Sequence, residues 1–184
     1  MNLRSILILL ISFSLFLVSC ENAASEGSVE DLKKKYEKLS LDKNTKPEEL
    51  RGAMVDLAAA YEREASSQEG EAQAEYLYKS AELYEGFGGD INKALEIYDK
   101  IMADFPDAKR AGDALFKKGF LYNEKLKDLE KARAAYELFI EKYPNSDLVD
   151  DAKDEIKFLG LTPEEIFEII QQKQDSLQSG DSIQ

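Results

Sequence analysis

Seven positions of this chain recur, without a gap, at an offset of 38 residues: Leu77, Ala81 and Tyr84 return as Leu115, Gly119 and Tyr122, and Ala94, Tyr98, Ile101 and Pro106 return as Ala132, Tyr136, Phe139 and Pro144. Two unrelated amphipathic helices do not hold so many matches in register. A period of roughly 20–50 residues marks a repeat architecture, in which one unit cannot bury its own apolar face and at least three must stack. Each unit reads as a helical hairpin. In its first helix a small residue, Ala81 or Gly119, lets the second helix come close, and Tyr84 or Tyr122 fills the space beside it. In the second helix Ala94 or Ala132 is the contact point, and Tyr98 or Tyr136 lies one turn on, on the same face. Pro106 and Pro144 stop that helix and open the next unit.

The rest of the chain supports an all-α reading. No run of alternating β-branched residues is bounded by turn dipeptides. Helical character predicts elements near 29–39, 47–66, 70–86, 90–104, 108–125, 128–142 and 147–159, closed by one over 163–176. Pro47-Glu48-Glu49 suits a first turn, and Thr162-Pro163-Glu164-Glu165 has capping-box spacing. Gly88-Gly89-Asp90 breaks one helix and caps the next. Upstream, Ala53, Leu57 and Ala60 fit the second helix of a degenerate unit; downstream, Ala152 and Ile156 fit the first helix of a third unit, which Ile166, Phe167 and Ile170 would complete or cap.

The hairpin pattern resembles the tetratricopeptide repeat: a large residue, a small one and a tyrosine, then alanine, an aromatic and a terminal proline. The clearest units are 72–106 and 110–144. Departures are the period of 38, Ile101 and Phe139 at a position that is small in the family, and Ser80 and Lys118 where it has leucine. The Phe-Pro-Asp and Tyr-Pro-Asn-Ser helix ends are similar to those of outer-membrane barrel-assembly lipoproteins and of the periplasmic Tol–Pal partner. The resemblance implies a right-handed solenoid of stacked hairpins over 29–176. It also implies that the inner face of the first helices carries the ligand: Tyr78, Glu82 and Glu85 in one unit, Phe116, Phe120 and Asn123 in the next.

The N-terminus points to export. Arg4 precedes an apolar run from Ile6 to Val18, shorter than the roughly 20 residues of a spanning helix, and the run ends in Leu17-Val18-Ser19-Cys20. This resembles the bacterial lipobox. Residues 1–19 then form a signal peptide and Cys20 takes the acyl chains that hold the mature protein to a membrane. Residues 20–28 form the lipidated cysteine and a flexible polar tether, and 177–184 a disordered tail. Glu21, in place of aspartate, favours the outer membrane over the inner, so the expected site is the cell envelope, facing the periplasm.

Composition removes most chemistry. With Arg4 lost in the leader, 23 basic residues face 37 acidic ones, a mature net of −14. Such a surface repels nucleic acid and suits basic peptides or protein patches. Histidine is absent and Cys20 is the one cysteine, so no His/Cys metal site can be built and the usual nucleophile–base pairs are missing. No cofactor is expected. Paired carboxylates for glycoside cleavage arise by chance in so acidic a chain. Lys33-Lys34-Lys35 reads as a solvated face paired with Glu30, Asp31 and Glu37, and Asp147, Asp150 and Asp151 as acids at a helix start. The expected function is a lipid-anchored interaction scaffold of an envelope assembly, with a periplasmic holdase as the alternative and a peptidoglycan-active enzyme a remote third. The apolar run Ile166, Phe167, Ile169 and Ile170 is a candidate pairing surface, and the oligomeric state stays open. A Cys20→Ser variant should leave the membrane fraction on cell fractionation and give an unchanged helical circular-dichroism spectrum; retention in the membrane would contradict the lipobox.

Overall fold

The computed structural model describes residues 27–86 and 89–178; the proposed signal peptide, Cys20 and the tether up to residue 26 lie outside this range, as do residues 179–184. Among the described residues all regular structure is helical: α1 (Val29–Leu41), α2 (Pro47–Ala65), α3 (Gly70–Glu85), α4 (Ile91–Asp104), α5 (Lys109–Glu124), α6 (Leu129–Lys142), α7 (Val149–Phe158) and α8 (Pro163–Gln178). Each follows the expected segment within two residues at either end. Ser28, expected in the tether, instead caps α1, its Oγ accepting from the Asp31 N–H at 3.2 Å. Residues 177 and 178, expected in the tail, continue α8.

The repeat governs how the hairpins begin and end. Asp90 and Asp128, also 38 residues apart, cap α4 and α6 by accepting from the N–H groups of Lys93 and Lys131, each at 3.1 Å. The same two helices close alike: the N–H of Phe105 bonds Ile101 O at 3.0 Å, and that of Tyr143 bonds Phe139 O at 2.9 Å, each one residue before its proline. At Thr162 the capping box is complete: Glu165 N–H donates to Thr162 Oγ1 at 3.2 Å and Thr162 N–H to Glu165 Oε2 at 2.7 Å.

Neighbouring helices pack in sequence order, from α1 against α2 through to α6 against α7. The first helices α3 and α5 also pack on each other, with no comparable contact between α4 and α6. The stack therefore curves with its first helices inside and its second helices outside. Its core is a chain of linked clusters. Leu32, Leu57 and Ala60 join α1 to α2, confirming the upstream hairpin. Leu77, Ala81, Ala94, Tyr98 and Ile101 fill the α3–α4 unit, and Leu115, Tyr136, Phe139 and Ala152 join α5, α6 and α7.

The departures from the family pattern have physical reasons. Ile101 and Phe139 are fully buried, so the larger side chains fill the space between units. Ser80 is also fully buried, and its hydroxyl donates to Glu62 of α2 at 3.4 Å, which satisfies it. Lys118 reaches across to Asp99 of α4.

One expectation fails. α8 does not complete a third hairpin; it makes no extended contact with any other described helix, and Phe167 and Ile170 are 60% and 43% exposed. The reason lies in α7. Its apolar residues Val149, Ala152 and Ile156 face back into the preceding unit, while Asp150, Lys153, Asp154 and Lys157 are exposed. An apolar α8 has no counterpart there.

Gly119 shows how close the hairpin packing is. A Cβ built on it would lie 2.7–2.9 Å from three atoms of the Tyr136 ring. Gly119→Ala should cost about 1–3 kcal/mol of unfolding free energy by overpacking, measured by urea denaturation, despite alanine's better helix propensity.

Candidate functional site

The first helices face the inside of the curve, so the site is built from α3, α5 and α7. Between α3 and α5 the inner surface is closed by charge. Arg110 at the start of α5 donates to Glu75 through Nε at 2.6 Å and Nη2 at 3.2 Å, and to Asp113 through Nη1 at 2.8 Å. Its guanidinium lies 4.4 Å from the centre of the Tyr78 ring, a cation–π contact. One level along, Lys117 of α5 donates to Glu85 of α3 at 2.6 Å, and the Tyr98 hydroxyl donates to the other oxygen of Glu85 at 3.1 Å. Burial of Tyr98 and the nearby Glu85 charge hold its hydroxyl protonated far above the usual range.

Between α5 and α7 the surface opens instead. A cleft of about 410 Å³ is lined by Phe116, Lys117 and Phe120 from α5 and by Asp151, Asp154 and Glu155 from α7. Phe116 is braced edge-on by Tyr136 and Phe139, with ring centres 5.4 and 5.6 Å away. Glu155 accepts from the Tyr136 hydroxyl at 3.3 Å and from Asn123. Its carboxyl is raised above the usual range, because burial outweighs those hydrogen bonds. Lys117 is drawn away to Glu85, so the α7 wall stays acidic. The cleft has an aromatic floor and a carboxylate wall.

The six groove candidates from sequence therefore divide. Phe116 and Phe120 lie in the cleft, half-buried, and Asn123 lies at its continuation toward α8. Tyr78 does not belong: it is 4% exposed, stacked between Arg110 and the Tyr98 ring. Glu85 serves as the latch to Lys117 and Tyr98, and Glu82 is exposed on α3, outside the cleft. Sequence reasoning missed Lys117, Asp154 and Glu155, and it weighed Asp151 as a helix-start acid against a cation ligand, not as a groove residue. Their signal was the same register logic carried into the third unit, since 38 residues before Asp154 and Glu155 stand Phe116 and Lys117.

Away from the groove the lysine run lies on a solvated, ion-paired face. Lys33 pairs with Glu37 at 4.0 Å and Lys34 with Glu30 at 3.3 Å, while Lys35 crosses to Asp56 of α2 at 3.2 Å. Among the described residues no acidic group is arranged to hold a metal, and no helix is long and apolar enough to cross a membrane.

The tetratricopeptide repeat family model matches residues 75–108 and 113–146. The two hairpins carry the tetratricopeptide pattern. The matches start 38 residues apart, as the internal duplication requires, and fall on α3–α4 and α5–α6. No curated protein and no solved structure gives a significant match to the chain. Repeats of this kind are typically non-enzymatic surfaces for protein partners, and the repeat supports an interaction scaffold here.

Two substitutions at the site should shift stability in opposite directions with pH. Glu75 is held below the usual carboxylate range chiefly by Arg110, so this pair stabilises above the unfolded-state value and loses its effect as pH falls through the folded one. Arg110→Met should cost about 1 kcal/mol at pH 7, with the gap closing in acid. Glu155 is raised, so its contribution is complete below the unfolded-state value and is lost as pH rises through the folded one. Glu155→Gln should therefore be more stable than the parent at pH 7, and that advantage should vanish in acid. Denaturant melts between pH 4 and 7 check both.

Proposed function

We propose that this chain is a lipid-anchored scaffold of the bacterial cell envelope, whose α5–α7 cleft holds a segment of a partner protein at the membrane face. The observation that carries the reading is the open cleft itself: an aromatic floor at Phe116 and Phe120 beneath an acidic wall, on a repeat whose other first-helix junction is closed. An acidic groove of this kind favours a basic peptide or a basic protein patch. The lipobox supports the placement, with Cys20 as the acylated residue, the periplasm as the compartment and the outer membrane as the preferred surface. Two or three acyl chains on one residue suffice for stable attachment. In this reading the protein is an accessory of an outer-membrane or periplasmic assembly. It carries no catalytic group and uses no cofactor.

The test is photocrosslinking in intact cells. A photoreactive residue at position 120 should trap one or a few defined proteins that mass spectrometry identifies, and the same residue at the outer-face position 138 should not. Equal and diffuse labelling from both positions would contradict a groove-centred scaffold and favour the holdase.

A further inference from the structure

The cleft does not end at Glu155. It continues into a second hollow of about 490 Å³ between the end of α5, the start of α6, α7 and the first turn of α8. Asp154 and Glu155 border both spaces, so the two form one groove. The character of the lining changes along it. The far hollow has an apolar wall of Leu129, Phe158, Leu161 and Ile166. Gly160, at φ 83°, brings the connecting loop down onto that wall, where a Cβ would lie 2.9 Å from Leu129 Cδ1. The basic residue of this hollow, Lys127, pairs with Glu124 at 3.5 Å. Leu129 is 39% exposed, and α8 covers the wall with Ile166 alone.

We propose that the groove reads a two-part signal in its partner: an apolar side chain seated among Leu129, Phe158, Leu161 and Ile166, and a lysine or arginine lying over Phe120 against Asp151 and Asp154. The occupant is a basic segment of another protein, by charge complementarity. A second mature copy of this chain would bring net charge −14 onto the same carboxylates, and its own apolar helix α8 carries Glu164, Glu165 and Glu168 beside Ile166 and Phe167. The cationic part gains from the aromatic face of Phe120 as well as from the acids. The apolar part gains from displacing water off an apolar wall that the described residues leave open. Spacing follows from α7. Along this facing helix, from Asp151 to Phe158, the groove advances about two helical turns, roughly 10 Å, which an extended segment covers in about three residues.

This rests on the scaffold reading and is tested separately from it. The full chain in mild detergent is applied to an array of ten-residue Ser/Gly peptides carrying one leucine and one lysine at every separation and in both orders. Binding should peak at a separation of about three residues and favour one order. Ile166→Asp should remove the dependence on leucine and keep that on lysine, and the double variant Asp151→Asn, Asp154→Asn should do the reverse, each weakening the best peptide at least about tenfold. These positions bear on no buried core residue, and circular dichroism should confirm an unchanged helix content. Binding by lysine alone, binding indifferent to spacing, or no binding would overturn the proposal. So would sedimentation showing a dimer that Ile166→Asp dissolves. If the position-120 crosslink in cells survives Ile166→Asp undiminished, the two-part signal is wrong while the scaffold stands.

Discussion

The structure depends on an aromatic ring packed against a residue with almost no side chain. In the α3–α4 and α5–α6 hairpins a fully buried tyrosine of the second helix, Tyr98 or Tyr136, shares the core with the small Ala81 or Gly119 of the first. At Gly119 the ring rests where a Cβ would be. The two helices of a hairpin can then approach closely, but the hairpin still exposes an apolar face on each side. Stacking buries those faces, and each unit contributes to its neighbour's core: Phe105 and Tyr143 pack into clusters that span the junctions. Stability in such a chain is close to a sum of units and junctions.

That arrangement also decides where the site can be. The tyrosine hydroxyls emerge from the core toward the inner face, and each is met there by a glutamate: Glu85 for Tyr98 and Glu155 for Tyr136. At the first junction Lys117 joins Glu85, Arg110 joins Glu75, and the surface closes. At the second the positions 38 residues on are Asn123 and Glu155, an amide and a carboxylate where the first has a carboxylate and an ammonium, and the surface stays open. One repeated motif thus produces a clamp at one level and an open cleft at the next. The difference comes from whether a cation on the following first helix completes the pair.

The final unit is where the repeat stops enforcing itself. α7 keeps the inward apolar register through Ala152 and Ile156 but presents charge outward, and α8 follows an idealised capping box into open surroundings. A helix with good local signals and no partner surface still forms; it does not dock. Its first turn then becomes a wall of the groove rather than the second half of a hairpin.

Helix positions, the pairing within the two repeat units and the caps at Asp90 and Thr162 were legible in the sequence, because each follows from local chemistry: proline and aspartate at helix ends, apolar spacing within helices, and a duplication that shows which residues are equivalent. Phe116 and Phe120 could be placed on the inner face for the same reason. Tyr78 could not be told from a groove residue, because its ring lies against Arg110 as well as Tyr98, and Arg110 belongs to the next unit and is brought over it only by stacking. The 38-residue register relates Asp154 and Glu155 to Phe116 and Lys117, but it does not show that the space between α5 and α7 stays open, since that is a distance between elements. The sequence by itself determined the unit and its repetition, through local spacing and side-chain size. Only the tertiary structure decided which junction closes and which opens, because that turns on charges meeting across helices from different units.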